Sequence, residues 1–186
     1  GYQNNHREEW SAFHTHYGSQ PLPQTNPDKE LGFNLNTFSF SAIGRLIGSS
    51  FWEHRMGWDS QFQRNTISGY SFLLPEYERF TTGVSWLTTY RPDNVLAVSG
   101  GIRYDYGRIY VFAHDDPYLA TYLQEQGYSD EQVESYRWNS RRVNRSFGDY
   151  SLSLGVVWTP SVLHQLKVNV GRSFRLPGAN ELASNG

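Results

Sequence analysis

Several groups of residues in this sequence could bind a metal ion or a ligand, and the first is a pair of histidines near the amino terminus. His14 and His16 are separated by one residue, so both imidazoles lie on one face of an extended chain. Together with Asp28 or Glu30 they offer the nitrogen and oxygen donors that transition-metal ions bind. The same stretch is typical of a solvated loop, and we assign it no metal site.

A second group is His-Asp-Asp-Pro, at His114 to Pro117. Its two carboxylates could bind a hard cation, but their spacing is not that of a calcium-binding loop. Proline is well suited to the first position of a helix. We therefore predict a helix-opening turn at this point.

Arginines and aromatic residues gather further along the chain. Four arginines lie close together before Phe147, at Arg137, Arg141, Arg142 and Arg145. Guanidinium groups hold carboxylates and phosphates through paired hydrogen bonds, so the cluster fits an anionic ligand or lipopolysaccharide phosphates, and it fits a solvated strand rim equally well. Rings and guanidinium groups are the usual anchors of recognition surfaces. The candidate ligand-binding residues are Tyr136, Arg137, Trp138 and Arg141.

Signatures of catalysis are missing from the sequence. It contains no G-x-S-x-G elbow, no H-E-x-x-H motif and no glycine loop of the kind that holds phosphate. We therefore predict that the chain is not an enzyme and needs no cofactor. A serine and a histidine distant in sequence could still meet in space, so an outer-membrane barrel hydrolase stays as a weaker alternative.

The composition limits the fold and the partners. Only 38% of the 186 residues are hydrophobic, while 16% are aromatic, and aromatic residues favour strands and interfaces. The net charge of -2 gives no basic surface for nucleic acid. No run of about 18 apolar residues is present, which excludes a membrane helix but leaves room for a membrane β-barrel.

Alternation of apolar and polar residues predicts about seven strands. The clearest one runs from Tyr150 to Trp158, and similar patterns cover Leu96 to Tyr106 and Phe80 to Tyr90. A fourth strand places Leu166, Val168, Val170 and Phe174 on one face. Weaker patterns cover Met56 to Arg64, Glu30 to Ser41 and Gly1 to Phe13. We expect an all-β, antiparallel up-and-down meander in which Leu152, Leu154, Val156, Val168 and Val170 share one face.

The connections differ in length. Arg91 to Asn94 and Thr159 to Val162 are predicted tight turns, whereas the link from Gly44 to Arg55 is longer. Ala113 to Arg145 is a long loop in which Pro117 can open one short helix and Ser129 can cap another. Short turns at one end and long loops at the other are typical of an outer-membrane barrel.

Aromatic spacing agrees with a membrane barrel. Tyr150 and Trp158 lie on the apolar face eight residues apart, which spans roughly 20 Å across a membrane for a strand tilted by about 40°. That distance is close to the separation of the two aromatic belts of such barrels. Aromatic residues also border the core of a β-sandwich, so the rings alone leave both architectures open.

The carboxyl-terminal stretch, VNVGRSFRLPGANELASNG, resembles a barrel segment of the TonB-dependent outer-membrane receptors. In that family a strand ends in a motif like G-R-S-F-R-x-P-x-x-N-E-L-x-x-N-G. The matching positions are Gly171, Arg172, Ser173, Phe174, Arg175, Pro177, Asn180, Glu181, Leu182, Asn185 and Gly186. Weaker similarities at VSGGIRYDYG, FLLPEYERFTTG and GYQNNHREEW extend the resemblance along nearly the whole chain. Arg175 and Glu181 are expected to hold the loop in shape.

The resemblance implies a 22-stranded barrel in the outer membrane of a Gram-negative bacterium. Such receptors import an iron siderophore, haem, cobalamin or a similar scarce ligand, and TonB supplies the energy through an amino-terminal segment. We expect residues 1–186 to be part of the barrel domain, without plug or TonB segment, and unable to transport alone. Its expected partners are outer-membrane lipid, TonB and a small-molecule or metal-chelate ligand. The alternative of another class is a soluble carbohydrate-binding β-sandwich, which would bury the apolar face in a core.

Overall fold

A computed structural model of the chain describes residues 1–15, 17 and 20–183. Within these residues, seven antiparallel strands form one sheet. The strands are β1 Tyr2–Trp10, β2 Lys29–Ile47, β3 Trp52–Ser68, β4 Tyr77–Tyr90, β5 Leu96–Val111, β8 Val143–Ser161 and β9 His164–Arg172. Their order in the sheet is their order along the chain, and two short strands of a second sheet lie between β5 and β8 in sequence. The predicted antiparallel meander is confirmed.

The remaining elements lie outside this sheet. Two short strands, β6 His114–Asp115 and β7 Trp138–Ser140, pair with each other. The helices are α1 Pro117–Glu125, α2 Asp130–Tyr136 and α3 Ala179–Ala183. None of the helices in the described part of the chain has the length and apolar character to cross a membrane.

The strands predicted from weak patterns are present and longer than expected. β2 continues to Ile47 and β3 begins at Trp52, so a four-residue turn replaces the longer link expected between Gly44 and Arg55. Alternation fails here because Ile43 and Ile47 lie on the face opposite to Ala42 and Leu46, so both faces carry apolar residues. Backbone pairing continues regardless of side-chain type, and it joins Ile47 to Glu53.

Three predicted boundaries are corrected. Thr159 to Val162 is not the turn, since β8 continues to Ser161 and the turn is at residues 162–163; Pro160 lacks the N–H that a ladder needs, and the pairing shifts there. Phe174 lies beyond the end of β9, and its backbone N–H donates to Ser151 Oγ at 3.0 Å. The long loop covers residues 112–142, because Val143 pairs with Val111 and already belongs to β8.

Cross-strand register gives the sheet two faces. Leu154 lies opposite Val170 and Val156 lies opposite Val168, so the predicted common face of β8 and β9 is confirmed. The register brings the even-numbered residues of all seven strands to this face. Large apolar side chains on it are exposed, with Val170 66% accessible and Leu154 52% accessible. We call it the apolar face.

An exposed apolar face contradicts the β-sandwich alternative. A sandwich needs a second sheet to cover that face, and in the described residues the second sheet is only the β6–β7 ribbon. Rings lie along both borders of the apolar face. On the loop side, Phe62 lies between Phe38 and Phe80 in one row, and near the turns the Trp52 and Tyr90 rings lie 4.6 Å apart.

The opposite face, which we call the inner face, is polar at mid-strand and apolar where the loops begin. Arg103 forms ion pairs with Asp59 at 2.8 Å and Asp105 at 2.6 Å. A small core surrounds Ile109 and Val111, which are almost fully buried. The residues packed around them are Tyr77, Val143, Phe147, Ala179 and Leu182.

Candidate functional site at the loop end

Short and long connections alternate along the chain, so the short turns lie at one end of the sheet and the long loops at the other. Residues 48–51, 91–95 and 162–163 form turns at one end, which we call the turn end. The connections at the other end, which we call the loop end, are the described residues between Trp10 and Lys29, residues 69–76, residues 112–142 and residues 173–183. Recognition residues in a scaffold of strands are usually carried by such loops.

Residues 112–142 fold into a compact unit rather than an open loop. The Asp116 side chain accepts hydrogen bonds from the Tyr118 and Leu119 N–H groups, at 2.9 and 3.1 Å, and Pro117 opens α1 as predicted. Ser129 and Gln132 form a capping box at the start of α2, also as predicted. The other residues that shape the unit are Gly127, at φ +85°, and the buried Leu123 and Val133.

Arg137 is at the centre of this unit. Its guanidinium forms an ion pair with Asp115 on the neighbouring strand and lies 3.6 Å from Glu134. It also lies 5.4 Å from the centre of the Trp138 ring, a cation–π distance. The hydrogen bond from Arg137 holds the pKa of Asp115 below its usual range. Arg137 therefore closes the base of the unit and is oriented by it.

The four candidate ligand-binding residues are divided by the fold. Trp138 and Arg141 line one cleft of about 520 Å³, where Arg141 Nη2 donates to the Ser135 carbonyl at 3.2 Å. Tyr136 is 57% exposed and meets the Tyr128 ring edge-on at 6.3 Å. The cleft lining is completed by Ala113, Glu131, Glu134, Ser135 and Arg142.

The arginine cluster seen in the sequence does not stay together. Arg142 remains beside Arg141, but Arg145 belongs to β8 and is paired with Ile109 of β5. Sequence proximity was misleading here because β8 begins at Val143 and carries Arg145 into the sheet.

A second cleft at the loop end was not foreseen from the sequence. It measures about 460 Å³ and lies where three loops meet, with Pro21, Tyr70 and His114 each contributed by a different loop. The Phe72 and His114 rings stack at 4.9 Å with an angle of 21°. The only sequence signal was the group from His114 to Pro117, whose histidine lies beside the predicted turn.

The two histidines considered as metal donors, to which no metal site was assigned, are described only in part. His14 Nδ1 lies 3.2 Å from the Tyr70 hydroxyl and 3.3 Å from the Ala12 carbonyl. His16 lies outside the described residues. Among the described residues, no three histidine, aspartate or glutamate side chains converge in the manner of metal ligands.

The receptor-like motif folds back along the inner face. Arg175 and Glu181 form a two-bonded ion pair, at 2.5 and 3.1 Å, and the Gly178 N–H donates to the same carboxylate at 2.6 Å. The Arg175 guanidinium beside Glu181 lowers the pKa of that carboxyl. The pair therefore links two parts of the loop that are six residues apart in sequence.

The other motif residues anchor this segment to the sheet. Arg172 forms an ion pair with Asp149, and its guanidinium lies 4.3 Å from the centre of the Tyr150 ring. Leu182 packs on the small core, Pro177 is half-buried and Asn180 is exposed. Asn185 and Gly186 lie outside the described residues.

A serine–histidine pair does occur, at the turn end. Ser161 Oγ lies 2.9 Å from His164 Nδ1 across the tight turn, and both residues are exposed. Among the described residues, no carboxylate hydrogen-bonds to His164 to orient it as a catalytic base. The pair is therefore a contact across the turn.

Comparisons with known proteins agree with this architecture. The family model described as "TonB dependent receptor-like, beta-barrel" matches residues 1–186. None of the curated proteins matches the sequence. Three solved chains match, among them a double mutant of the Serratia marcescens hemophore receptor HasR in complex with its hemophore HasA and heme.

The likeness to HasR concerns the fold alone. The two chains are 21% identical and superpose with a TM-score of 0.58, over 84% of this chain. The chain spans about a quarter of the length of the HasR chain, with 26% covered.

Proposed function

We infer the function of this chain from its family: it belongs to the TonB-dependent receptors of the bacterial outer membrane, and its residues form part of their β-barrel domain. We propose that the complete receptor binds a scarce ligand at the cell surface and imports it with energy from TonB. The ligand classes are an iron siderophore, haem, cobalamin or a similar compound. The 186 residues are one wall of the barrel and do not transport alone.

One observation carries this proposal: the sheet separates an apolar face from a polar inner face, and its long loops gather at one end. A barrel built from such strands presents the apolar face to lipid and the polar face to an aqueous interior. Arg103, Asp59 and Asp105 lie on the inner face, where charged side chains remain hydrated. Val168 and Val170 lie on the other, exposed as a lipid-facing surface requires.

The loop end supports ligand capture. Its two clefts measure about 460 and 520 Å³, within the size range of small-molecule sites. Rings line both clefts. Arg141 and Arg142 line the larger one together with Glu131 and Glu134, so a ligand with an extended ring system and charged groups of both signs would match this lining.

The receptor role can be tested by growth and uptake. The full-length receptor is produced in a strain that lacks its own receptors for haemin, ferrichrome and cyanocobalamin, and each compound is supplied in turn as the limiting nutrient. We expect one compound to support growth only when TonB is present. HasR was solved with heme, so haemin is the first probe. Growth independent of TonB, or no binding of any scarce nutrient by a correctly inserted barrel, would contradict the proposal.

A further inference from the structure

A groove crosses the apolar face between two tryptophans of adjacent strands. Trp58 on β3 lies opposite Val84, and Trp86 on β4 lies opposite Met56 in the next row. The Trp58 indole donates to Thr82 Oγ1 at 3.0 Å, so this ring leans toward the loop end. The Trp86 ring lies 5.9 Å from the ring of His54, toward the turn end. The two rings lean apart and leave a gap between them.

The gap is a shallow, open groove of about 630 Å³. Met56, Val84 and Ile102 line it, and each is about half exposed. On the β2 side the groove is lined by the small residues Ala42 and Gly44. A Cβ placed on Gly44 would have open space around it. The groove is continuous with the lipid-facing surface of an outer-membrane barrel, so a lipid acyl chain is the occupant that its surroundings supply.

A cation lies beyond the loop side of this groove. Arg108 is on the same face of β5 as Tyr104, four residues nearer the loop end, which corresponds to about 13 Å. Its Nε donates to Asn144 Oδ1 at 3.1 Å. Arg108 is exposed and has no ion-pair partner among the described residues, whereas Arg64 on the same face lies 3.7 Å from Glu78.

We propose that this groove and Arg108 together form a binding site for lipid A, the phosphorylated, acylated lipid of the outer leaflet. One acyl chain lies between Trp58 and Trp86, and a phosphate contacts the Arg108 guanidinium. Tyr104 lines the groove, and its distance of about 13 Å from Arg108 along β5 is within the reach of an acyl chain that extends through one leaflet, half of a hydrocarbon core of about 30 Å. Long loops mark the extracellular end of a barrel, which places Arg108 in the outer leaflet.

The binding forces in this site differ from those of a site in water. Bulk lipid is as apolar as the groove, so the hydrophobic effect does not favour one acyl chain over another there. Retention comes from van der Waals packing against the two rings and from the charged contact at Arg108. Filling the groove and removing the charge are therefore separate tests, and neither depends on which ligand the receptor imports.

The first test fills the groove. Full-length receptor in detergent is titrated with lipid A, and bound lipid is counted by native mass spectrometry. Gly44→Trp adds a ring where there is open space, at a residue without a positive φ. We expect it to weaken lipid A binding by about tenfold, as the packing contacts of the chain are lost. Leu154→Trp, on the same face outside the groove, is the matched control and binds like the wild type.

The second test removes the charge. Arg108→Gln keeps a polar side chain beside Asn144 and loses the cation, so lipid A binding falls severalfold while binding of uncharged diacylglycerol is unchanged. Arg55→Gln is the control, since Arg55 is on the inner face in an ion pair with Glu53. If Gly44→Trp binds lipid A as well as the wild type does, the groove is not the acyl-chain site. If Arg108→Gln binds lipid A as well as the wild type does, Arg108 does not contact the phosphate. The phosphate contact is also wrong if the wild type binds diacylglycerol and lipid A equally well. Heat-modifiable gel mobility confirms that each variant is a folded barrel.

Discussion

The guanidinium of Arg103 on β5 reaches across β4 to the carboxylate of Asp59 on β3, with two hydrogen bonds of 2.8 and 3.0 Å. The crossing is possible because Gly83 lies beneath it on β4. A Cβ built on Gly83 would lie 2.2 Å from Arg103 Nη2 and 2.5 Å from Asp105 Oδ1. Three neighbouring strands are thus joined on the inner face through a single arginine.

Substituting Gly83 tests that relationship. In Gly83→Ala the new methyl displaces the guanidinium, which is the mobile end of a long side chain, and we expect a loss of up to about 1 kcal/mol of barrel stability because the Arg103–Asp59 pair is partly exposed. Gly44→Ala, in open space on the apolar face, is the control and changes stability little. The measurement is the denaturant dependence of unfolding of the full-length receptor. Adding Arg103→Met should make the Gly83→Ala effect much smaller, and an undiminished effect would contradict the assigned contact.

Lysine substitutions on β9 test which face meets lipid. Val170→Lys places a charge on the apolar face and is expected to cost about 2–4 kcal/mol if the residue lies near the bilayer midplane. Asn169→Lys, the adjacent residue on the inner face, should change stability by much less. Folding yield into lipid vesicles and unfolding by denaturant measure the difference. Equal effects at the two positions would show that the assignment of faces is wrong.

Alanine substitutions at the loop end test the candidate ligand site. The combined change of Tyr136, Arg137 and Trp138 to alanine in the full-length receptor should lower ligand binding while the barrel still inserts. The triple variant also loses the Arg137 ion pair that holds the base of the unit. The double variant Trp138→Ala with Arg141→Ala changes only cleft side chains, so it tests the cleft while Arg137 is kept. Arg91→Ala, at the turn end, is the control. Binding and uptake are measured with the compound identified in the growth test. If the triple and the double variant both bind and import it as the wild type does, these residues have no role in ligand binding.

The ion pair between Asp115 and Arg137 predicts a pH dependence of the loop unit. Because the pKa of Asp115 is lowered in the folded chain, the pair contributes stability above the ordinary aspartate pKa of about 3.9 and loses it as the pH falls below that value. We expect protection of residues 112–142 from hydrogen exchange, corrected for intrinsic rates, to stay constant from neutral pH down to about 5 and to fall in stronger acid.

The expected change is less than about tenfold, because both side chains are partly exposed to solvent. Asp115→Asn removes the titrating carboxylate and should abolish the part of the pH dependence that is specific to this unit. Other acids nearby, such as Glu134 on α2, are unchanged in that variant. A fall in protection of the same size in wild type and Asp115→Asn would assign the pH dependence to another group.

The sequence alone determined the strand type, the antiparallel order and the apolar face. Alternation with period two depends only on the pleat of the backbone, so the sequence assigns Leu154 and Val170 to the apolar face, and the strand register agrees. Both helix caps in the long loop were also predictable, because Asp116–Pro117 and Ser129–Gln132 act within four residues of each other. Local hydrogen bonding leaves such signals in the sequence.

Only the tertiary structure decided which distant residues meet. The stack of Phe72 on His114 depends on two different loops, and the Arg103–Asp59 pair depends on the register of three strands. The split of the arginine cluster has the same cause, since the start of β8 is set by pairing with β5. Strand pairing fixes positions across tens of residues, and no short-range pattern reports it.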